Sequence, residues 1–328
     1  MDLTILCGQG ELLPCDPECL LIYCYIKLKG APINLKMQSP VDGNASGYPI
    51  LCHDSKNYSG IPVILTYLRK ENYGLEYELS DTEGVKLCAL ISAIERRLAP
   101  AVNWFLWADD CVYTKFTRRM YFESIGFMRQ LYIPHIWRNE KIKRAKSSQL
   151  VICLKNMSEL EIGEHLYSLA KICFTSLSYV LNENTYFVGN RPTAVDAYVF
   201  AFLWPLLLYE SEHGDSNWWD IDYTKVPSSV ASLSSSSSSA HVQSSTHQLI
   251  THLLQCPNLI RYFKHILVKY FPKQVKYFKK DKSSLVDKST LSHPVRDCIL
   301  WGTGVAGLFL TYAYYSNNLK ILQRFRST

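Results

Sequence analysis

The stretch that most constrains the fold is residues 186–209, which read YFVGNRPTAVDAYVFAFLWPLLLY. Its turn-rich opening, with Gly189 first, predicts a chain reversal. Thr193 is then a candidate N-cap, and Asp196 three residues later can satisfy the N-cap amide in return, as in a capping box. From 194 to 209 Asp196 is the only charged residue. Because a helix that is apolar on all faces must be buried, we predict the central core helix of a helical domain.

A membrane span is the alternative interpretation of this apolar run. Its 16 residues are fewer than the roughly 20 that a helix needs to cross a bilayer, and Pro205 lies inside it. We therefore favour burial in a protein core. In this interpretation Gly189, Thr193 and Asp196 are folding signals and not parts of an active site.

The first 70 residues alternate short β-type runs with helical ones, in the order strand, helix, strand, loop, strand, strand, helix. Asp16 before Pro17 is typical of a helix start, and Gly30 of a helix end. A proline, Pro49, leads the third strand. This alternation predicts a small α/β domain, which we place at residues 1–75.

From residue 80 onward the pattern is wholly helical, and we assign residues 76–272 to an all-α domain. Ser80 followed by Glu83 is a second candidate capping box. Apolar side chains then recur at helical spacing over 87–98 and again over 162–180. Each stripe predicts an amphipathic helix that packs on the core.

We expect three features to interrupt this helical pattern. The first is Pro100, which should end or kink the helix predicted over 87–98. The run 138–146 has five basic residues and one acid, and we interpret it as a solvated face or loop. Residues 227–246, with six consecutive serines at 234–239, cannot bury enough apolar surface to fold. They are predicted to be a flexible insertion, with a phosphorylation cluster as the functional alternative.

The positive charge of the chain is concentrated towards its C-terminus. The formal net charge is +6, and residues 261–288 alone carry nine Lys or Arg against two Asp. We interpret residues 273–297 as a basic linker. Beside a membrane anchor, such a linker fits anionic lipid headgroups better than nucleic acid.

Residues 298–315 hold no charged side chain, and 18 helical residues reach roughly 27 Å, enough for a thin bilayer. Trp301 near one end, with tyrosines near the other, suits the two membrane interfaces. Gly302 and Ala306 form a small-xxx-small pair that can pack against another span. We predict a C-terminal transmembrane helix followed by a short basic tail at 316–328. The alternative is a last core helix.

This predicted anchor also predicts a location. A span so close to the C-terminus is inserted after translation and leaves the body in the cytosol. Its short length and basic flanks favour the mitochondrial outer membrane over thicker secretory membranes.

Cysteine and histidine usage carries no metal or disulfide signature. The 11 cysteines are scattered without a Cys-x-x-Cys pair, and the 9 histidines are dispersed. We therefore predict reduced thiols, no metal and no cofactor.

The order of elements, with Pro49 leading a strand, resembles the glutathione-transferase architecture, in which the matching proline is cis. Thr193 and Asp196 after Gly189 are similar to the capping motif that organises the helical domain of that family. The resemblance implies a thioredoxin-like N-terminal domain followed by a glutathione-transferase-like helical domain.

More specifically, the chain resembles metaxins over roughly residues 12–272, apart from the Ser-rich insertion. The matching segments are YIKLKGAP at 25–32, ILTYLRKENY at 64–73, the stretch 75–80, TRRMY at 117–121 and the stretch 186–202. The resemblance implies a non-enzymatic subunit of the mitochondrial outer-membrane sorting and assembly machinery. Its implied partners are a second metaxin, a β-barrel assembly subunit and β-barrel precursors.

An enzymatic alternative stays open. A transferase of this architecture activates glutathione from the start of the first helix, where Cys15 lies and where the helix dipole would lower the pKa of a thiol. Against this, Cys15 and Cys19 lack the redox spacing. The place of the acid–Ser pair that holds glutathione reads Tyr58-Ser59, without the acid. We predict no catalytic residue, with a thiol or glutathione transferase using Cys15 as the alternative.

Overall fold

A computed structural model of the chain describes residues 1–39, 47–123, 125–147, 157–214, 216–221 and 245–278, together with positions 307 and 311. By their internal contacts, residues divide into two compact units, Met1–Lys279 and Lys280–Thr328. The Ser-rich insertion up to residue 244 and most of the basic linker lie outside the described residues.

The predicted anchor at 298–315 is described at only two positions. Gly307 and Thr311 are both helical, and the Thr311 hydroxyl donates to the Gly307 carbonyl oxygen at 2.9 Å. Trp301, Gly302 and Ala306 lie outside the described residues, as does the tail at 316–328.

The first unit begins with a four-stranded sheet. Its strands are β1 (Asp2–Leu6), β2 (Asn34–Gln38), β3 (Ile50–His53) and β4 (Lys56–Ser59), in the spatial order β2-β1-β3-β4. β1 pairs in parallel with β2 and antiparallel with β3, and β4 is antiparallel to β3. The peptide bond between Tyr48 and Pro49 is cis, as the resemblance to glutathione transferases implies.

Two helices accompany the sheet, α1 (Pro17–Lys29) and α2 (Ile61–Lys70). The predicted start and end of α1 are confirmed. Asp16 accepts a hydrogen bond from the Cys19 amide at 3.1 Å, and Gly30 closes the helix with a left-handed φ of 71°. The helix is buried on nearly all sides, because the sheet lies on one side of it and the helical part of the unit on the other.

The remainder of the unit is helical. The helices are α3 (Asp81–Ala93), α4 (Ala99–Trp107), α5 (Asp110–Val112), α6 (Arg118–Phe122), α7 (Phe127–Gln130), α8 (Ile133–Lys146), α9 (Glu159–Leu181), α10 (Ala194–His213), α11 (Ser245–Leu254) and α12 (Pro257–Tyr270). Two π-helical turns, Ile94–Leu98 and Tyr113–Thr117, and a final 3-10 helix, Pro272–Tyr277, complete the set.

The helical run does not end at Pro100. It passes from α3 through the π-helical turn Ile94–Leu98 into α4, and Pro100 lies in the first turn of α4. A proline is tolerated in a first turn because the amide it lacks has no partner there. The wider turn ahead of the proline lets the chain remain helical.

The predicted core helix is confirmed as α10, which runs to His213 and is longer than its apolar run. Phe200, Trp204 and Leu207 are completely buried. Within the described residues, α10 alone has the length and hydropathy to cross a membrane, and 89% of that window is buried inside the protein. The four polar residues that extend the helix could not be read from apolar character.

The folded unit also takes in residues that we had assigned to the flexible insertion and to the basic linker. α11 begins at Ser245, and the hydroxyl of the buried Thr246 donates to the Asp109 carboxylate. The 3-10 helix Pro272–Tyr277 begins where the helical domain was predicted to end, and Gln274 Nε2 donates to the Glu11 carbonyl oxygen at 2.9 Å. Long-range polar contacts of this kind leave no local pattern in the sequence.

Candidate functional site

The capping motif at the start of α10 is built around the carboxylate of Asp196, which is completely buried. Its Oδ2 accepts from the Thr193 amide at 2.7 Å and from the Thr193 hydroxyl at 3.0 Å. Its Oδ1 accepts from the Tyr262 hydroxyl at 2.9 Å and from the Phe187 amide at 3.4 Å. Asp196 therefore joins the turn before α10, the helix start and α12.

Burial dominates the electrostatics of this carboxyl group. Desolvation raises the pKa of Asp196 to about 6, although hydrogen bonds from Thr193, Tyr262 and Phe187 act in the opposite direction. Gly189, in the turn before the motif, has a left-handed φ of 64°. Both carboxylate oxygens of Asp196 accept hydrogen bonds from within the fold, which fits a structural role for this residue.

A second buried cluster lies at the start of α1, where the glutathione-transferase resemblance places the reactive side chain. Asp16 Oδ1 accepts from Lys141 Nζ at 3.2 Å and from the Tyr121 hydroxyl at 3.5 Å. All three side chains are buried. The pKa of Tyr121 is raised well above its usual value, first by burial and then by Asp16. The carboxylate that caps α1 is thus also the anchor point for α6 and α8.

This arrangement corrects our interpretation of the basic run 138–146. The run is part of α8, and Lys141 lies inside the protein, paired with Asp16. Arg138 donates to the Trp107 carbonyl oxygen at 2.8 Å, and Arg144 pairs with Glu18 at 3.0 Å. The interpretation as a solvated face holds for Lys143 and Arg144, which are exposed, and is wrong for Lys141, whose partner lies 125 residues away in the chain.

The cysteines at the start of α1 do not have the lowered thiol pKa that the enzymatic alternative requires. Cys15 and Cys19 are buried, and desolvation raises the pKa of each thiol well above its usual value, with Asp16 adding to the shift. The predicted lowering of the Cys15 pKa by the helix dipole is wrong, because burial and a neighbouring carboxylate outweigh the dipole. A thiol held neutral is a poor nucleophile.

The loop between β1 and α1 is tied down by the helical part of the unit. Gln9 Nε2 donates to the Glu123 carboxylate at 2.5 Å. Lys276 pairs with the Glu11 carboxylate at 2.5 Å, next to the bond from Gln274 to the Glu11 carbonyl oxygen. Hydrogen bonds from both the middle and the end of the unit therefore hold the loop that a transferase would use to bind its thiol.

The glutathione-holding position after the proline-led strand is occupied by aromatic side chains. Tyr58 stacks on Tyr67 with ring centroids 4.1 Å apart, and His53 Nδ1 is 2.5 Å from the Tyr67 hydroxyl. Ser59 ends β4 and is exposed. In place of an acid–Ser pair, the structure has a packed aromatic cluster.

One helix cap was not predicted from the sequence. Ser158 and Glu161 form a complete capping box at the start of α9, with the Ser158 amide donating to Glu161 at 2.7 Å. The Ser-x-x-Glu spacing was the available signal. Across the parts of the chain that are described, no group of three or more His, Cys, Asp or Glu residues could hold a metal ion.

A four-stranded sheet whose third strand follows a cis-proline, and a helical part organised by a buried capping box, fit a glutathione-transferase-like fold. The C-terminal domain family of glutathione S-transferases matches residues 170–216. The Tom37 family, described as an outer mitochondrial membrane transport complex protein, matches residues 19–138.

Similar proteins of known name indicate a more specific family. Metaxin-1 of Mus musculus is 28% identical over 277 residues, which cover 83% of this chain and 76% of that protein. Metaxin-3 of Xenopus laevis is 33% identical over 194 residues, covering 58% of this chain and 61% of that protein. Together, these matches support the metaxin family with a glutathione-transferase-like fold. The matches support a transport-complex protein of the mitochondrial outer membrane rather than an enzyme.

Among solved structures, the β-etherase LigF from Sphingobium sp. strain SYK-6 is similar with a TM-score of 0.46 and 14% identity. It covers 85% of this chain, and 99% of the β-etherase chain is matched.

Proposed function

We propose that this chain is a non-catalytic, tail-anchored subunit of the mitochondrial outer-membrane import and β-barrel assembly machinery. It uses a glutathione-transferase-like body, with a thioredoxin-like part at 1–75 and a helical part at 76–272, as a scaffold for protein contacts. Its partners in this proposal are a second metaxin-like subunit, a β-barrel assembly subunit and β-barrel precursors.

The observation that carries the proposal is the use of the transferase site for packing. Lys141 and Tyr121 occupy the start of α1 by binding Asp16, and the adjacent Cys15 is buried with a raised pKa. A transferase needs an ionisable or hydrogen-bonding group there that faces substrate. Here the group that would face substrate faces the protein interior instead.

Anchoring rests on the C-terminal sequence. In the proposal, residues 298–315 span the outer membrane, with Trp301 at one interface and Gly302 and Ala306 on a face that can pack against another span. The body then faces the cytosol, and the basic linker lies against anionic lipids. A reporter fused to residues 289–328 tests this: it should decorate mitochondria, and a diffuse or reticular distribution would contradict the anchor.

Pro49, Gly189, Thr193 and Asp196 are structural residues in this proposal. Thr193→Ala removes a hydroxyl that donates to the buried Asp196 carboxylate, so it should lower the free energy of unfolding by about 1 kcal/mol. The variant should lose abundance in cells while the recovered protein still assembles with its partners.

Affinity purification of the full chain from mild detergent is the direct test of function. Co-purification of a β-barrel protein and a second metaxin-like chain is the expected result. In parallel, the purified chain is assayed for glutathione binding and for turnover of a generic electrophile. Robust turnover that Cys15→Ser abolishes would overturn the scaffold proposal and favour the transferase.

A further inference from the structure

The turn between α7 and α8 carries a cluster of exposed apolar side chains. They are Met128, Leu131, Tyr132 and Ile136, whose residues are 59%, 61%, 52% and 43% exposed. We call this set the α7–α8 patch. Single exposed apolar residues are ordinary, but four large ones within nine positions form a patch, and patches of this kind mark interaction sites.

The core does not account for the patch, because α8 is held from its other side. Ile133, Trp137, Lys141 and Ala145 recur every four residues on α8, and all are buried. Tyr132, which immediately precedes α8, and Ile136 lie outside this buried row and are partly exposed to solvent. Packing within the body therefore leaves about half of the Tyr132 and Ile136 surface uncovered.

The backbone of the patch is held in a defined shape. The Tyr132 amide donates to the Arg129 carbonyl oxygen at 3.3 Å, and the Ile136 amide donates to the Tyr132 carbonyl oxygen at 3.1 Å. Gln130 Nε2 closes the turn on the Ile125 carbonyl oxygen at 2.8 Å. A preformed turn loses little conformational entropy when it docks.

The net charge of the residues around the α7–α8 patch indicates which kind of surface the patch binds. Residues 115–146 carry nine Lys or Arg against two Glu, a net charge of +7. Residues 1–114 and 147–278 together carry 18 Lys or Arg against 24 Asp or Glu. The patch is thus set in a basic segment of an otherwise acidic body.

Some of these cationic side chains are paired within the protein, and others are available to a ligand. Arg119, Arg138, Lys141, Arg144 and Lys146 each pair with a carboxylate. By contrast, Arg129 and Lys143 are exposed and make no ion pair with any residue that the structure describes. Arg129 lies within the patch itself, and Lys143 lies on the solvent side of α8, two turns beyond Ile136.

We propose that the α7–α8 patch docks on an anionic phospholipid surface. Leu131, Tyr132 and their apolar neighbours reach the boundary between headgroups and acyl chains, while Arg129 and Lys143 bind lipid phosphates. An apolar and aromatic tip beside free cations has the composition of an interfacial membrane site. This contact would fix the orientation of the body on the membrane, independently of any C-terminal anchor.

Photo-crosslinking in the full chain tests the proposal. p-Benzoylphenylalanine replaces Tyr132, and in a matched control it replaces Val85, an exposed apolar residue that is 71% exposed on α3. Each protein is reconstituted into phosphatidylcholine nanodiscs with or without phosphatidylinositol, and lipid adducts are measured by mass spectrometry. Adducts should form at position 132, increase with phosphatidylinositol and stay near background at position 85.

The charge requirement is tested in the same assay. Arg129→Gln and Lys143→Gln should each reduce the adducts at position 132 by about fivefold, because one cation near an anionic surface contributes about that factor to binding. Glu78→Gln, at an exposed position away from the patch, is the control and should leave the yield unchanged.

Other occupants give distinct results that would overturn the proposal. Equal lipid adducts at 132 and 85, or adducts at 132 that are insensitive to phosphatidylinositol, would show nonspecific proximity to the bilayer. A crosslink from position 132 to a second copy of this chain or to an acidic protein, without a lipid adduct, would assign the patch to a protein partner.

Discussion

Lys141 Nζ lies 3.2 Å from Asp16 Oδ1, and the two side chains are only 4% and 3% exposed. Asp16 is the N-cap of α1, so a residue from the middle of the chain is joined to the helix that follows the first strand. Burying two charges is expensive, and the pair is sustained because the Cys19 amide and the Tyr121 hydroxyl also donate to the carboxylate.

Removing one partner of this pair should destabilise the body strongly. Lys141→Met leaves the Asp16 carboxylate buried without its counter-ion, so the free energy of unfolding should fall by about 3–5 kcal/mol. Urea unfolding of the full chain in mild detergent, followed by circular dichroism, measures the change.

Two further variants make the test specific to the pair. Lys143→Met, on the exposed side of the same helix, should change stability by less than about 0.5 kcal/mol. Asp16→Asn combined with Lys141→Met should cost less than Lys141→Met alone. A single variant as stable as the parent would show that the pair contributes nothing.

Thiol reactivity should follow burial rather than helix position. Cys15, Cys19 and Cys24 are buried with raised pKa values, whereas Cys88 and Cys111 are exposed. At neutral pH, iodoacetamide should label the exposed pair in the native protein and reach the buried three only after unfolding, as peptide mass spectrometry would show. Labelling of Cys15 as fast as Cys88 would refute this ordering and would revive the thiol-transferase alternative.

The buried carboxyl group of Asp196 should make stability fall as pH rises through the mildly acidic range. Its pKa is about 6 in the folded protein and about 3.9 in an unfolded chain, so the folded state holds the proton more tightly between these values. The contribution of Asp196 therefore favours folding at about pH 5 over about pH 7.5 by about 1 kcal/mol.

Comparison with Asp196→Asn isolates this contribution from that of other titrating groups. The amide cannot ionise, so the difference in unfolding free energy between parent and variant should grow as pH falls from about 6.5 to about 4.5. The variant should be less stable throughout, because its amide nitrogen cannot accept from Thr193. A pH-independent difference would contradict a raised Asp196 pKa.

The close packing of α9 against α4 depends on Gly163. A Cβ at Gly163 would come within 2.7 Å of Trp104 Nε1, and the rigid indole is itself buried. Gly163→Ala should therefore destabilise the protein by about 1–3 kcal/mol despite the gain in helix propensity. Thermal unfolding would measure the change.

Gly84→Ala in α3 is the matched control, since nothing lies within 4 Å of its Cβ position. This substitution should stabilise the protein by about 0.5–1 kcal/mol through helix propensity alone. Equal stabilisation by Gly163→Ala and Gly84→Ala would show that close packing at Gly163 does not contribute to stability.

Local rules accounted for much of the fold. The start and end of α1, the capping boxes at Ser80 and Thr193 and the burial of α10 each follow from residues a few positions apart. The metaxin relationship was likewise visible from matching segments. These features were predictable because a cap or an apolar face involves one helix and its own immediate neighbours.

The candidate site was less predictable, because its chemistry depends on residues that are distant in sequence. Cys15 beside a helix start predicts an activated thiol, and a basic run predicts a solvated face. Folding buries the thiol, which reverses the first expectation, and places Lys141 on Asp16, which removes this one residue from the solvated face.

The amino-acid order by itself determined the alternation of strands and helices near the N-terminus, the caps of individual helices and the resemblance to metaxins. Only the tertiary structure decided which residues lie inside the protein, and hence that Cys15 and Asp16 are buried while Tyr132 and Ile136 are partly exposed. The physical reason is that hydrogen-bonded helix ends are local, whereas desolvation depends on everything that packs around a group.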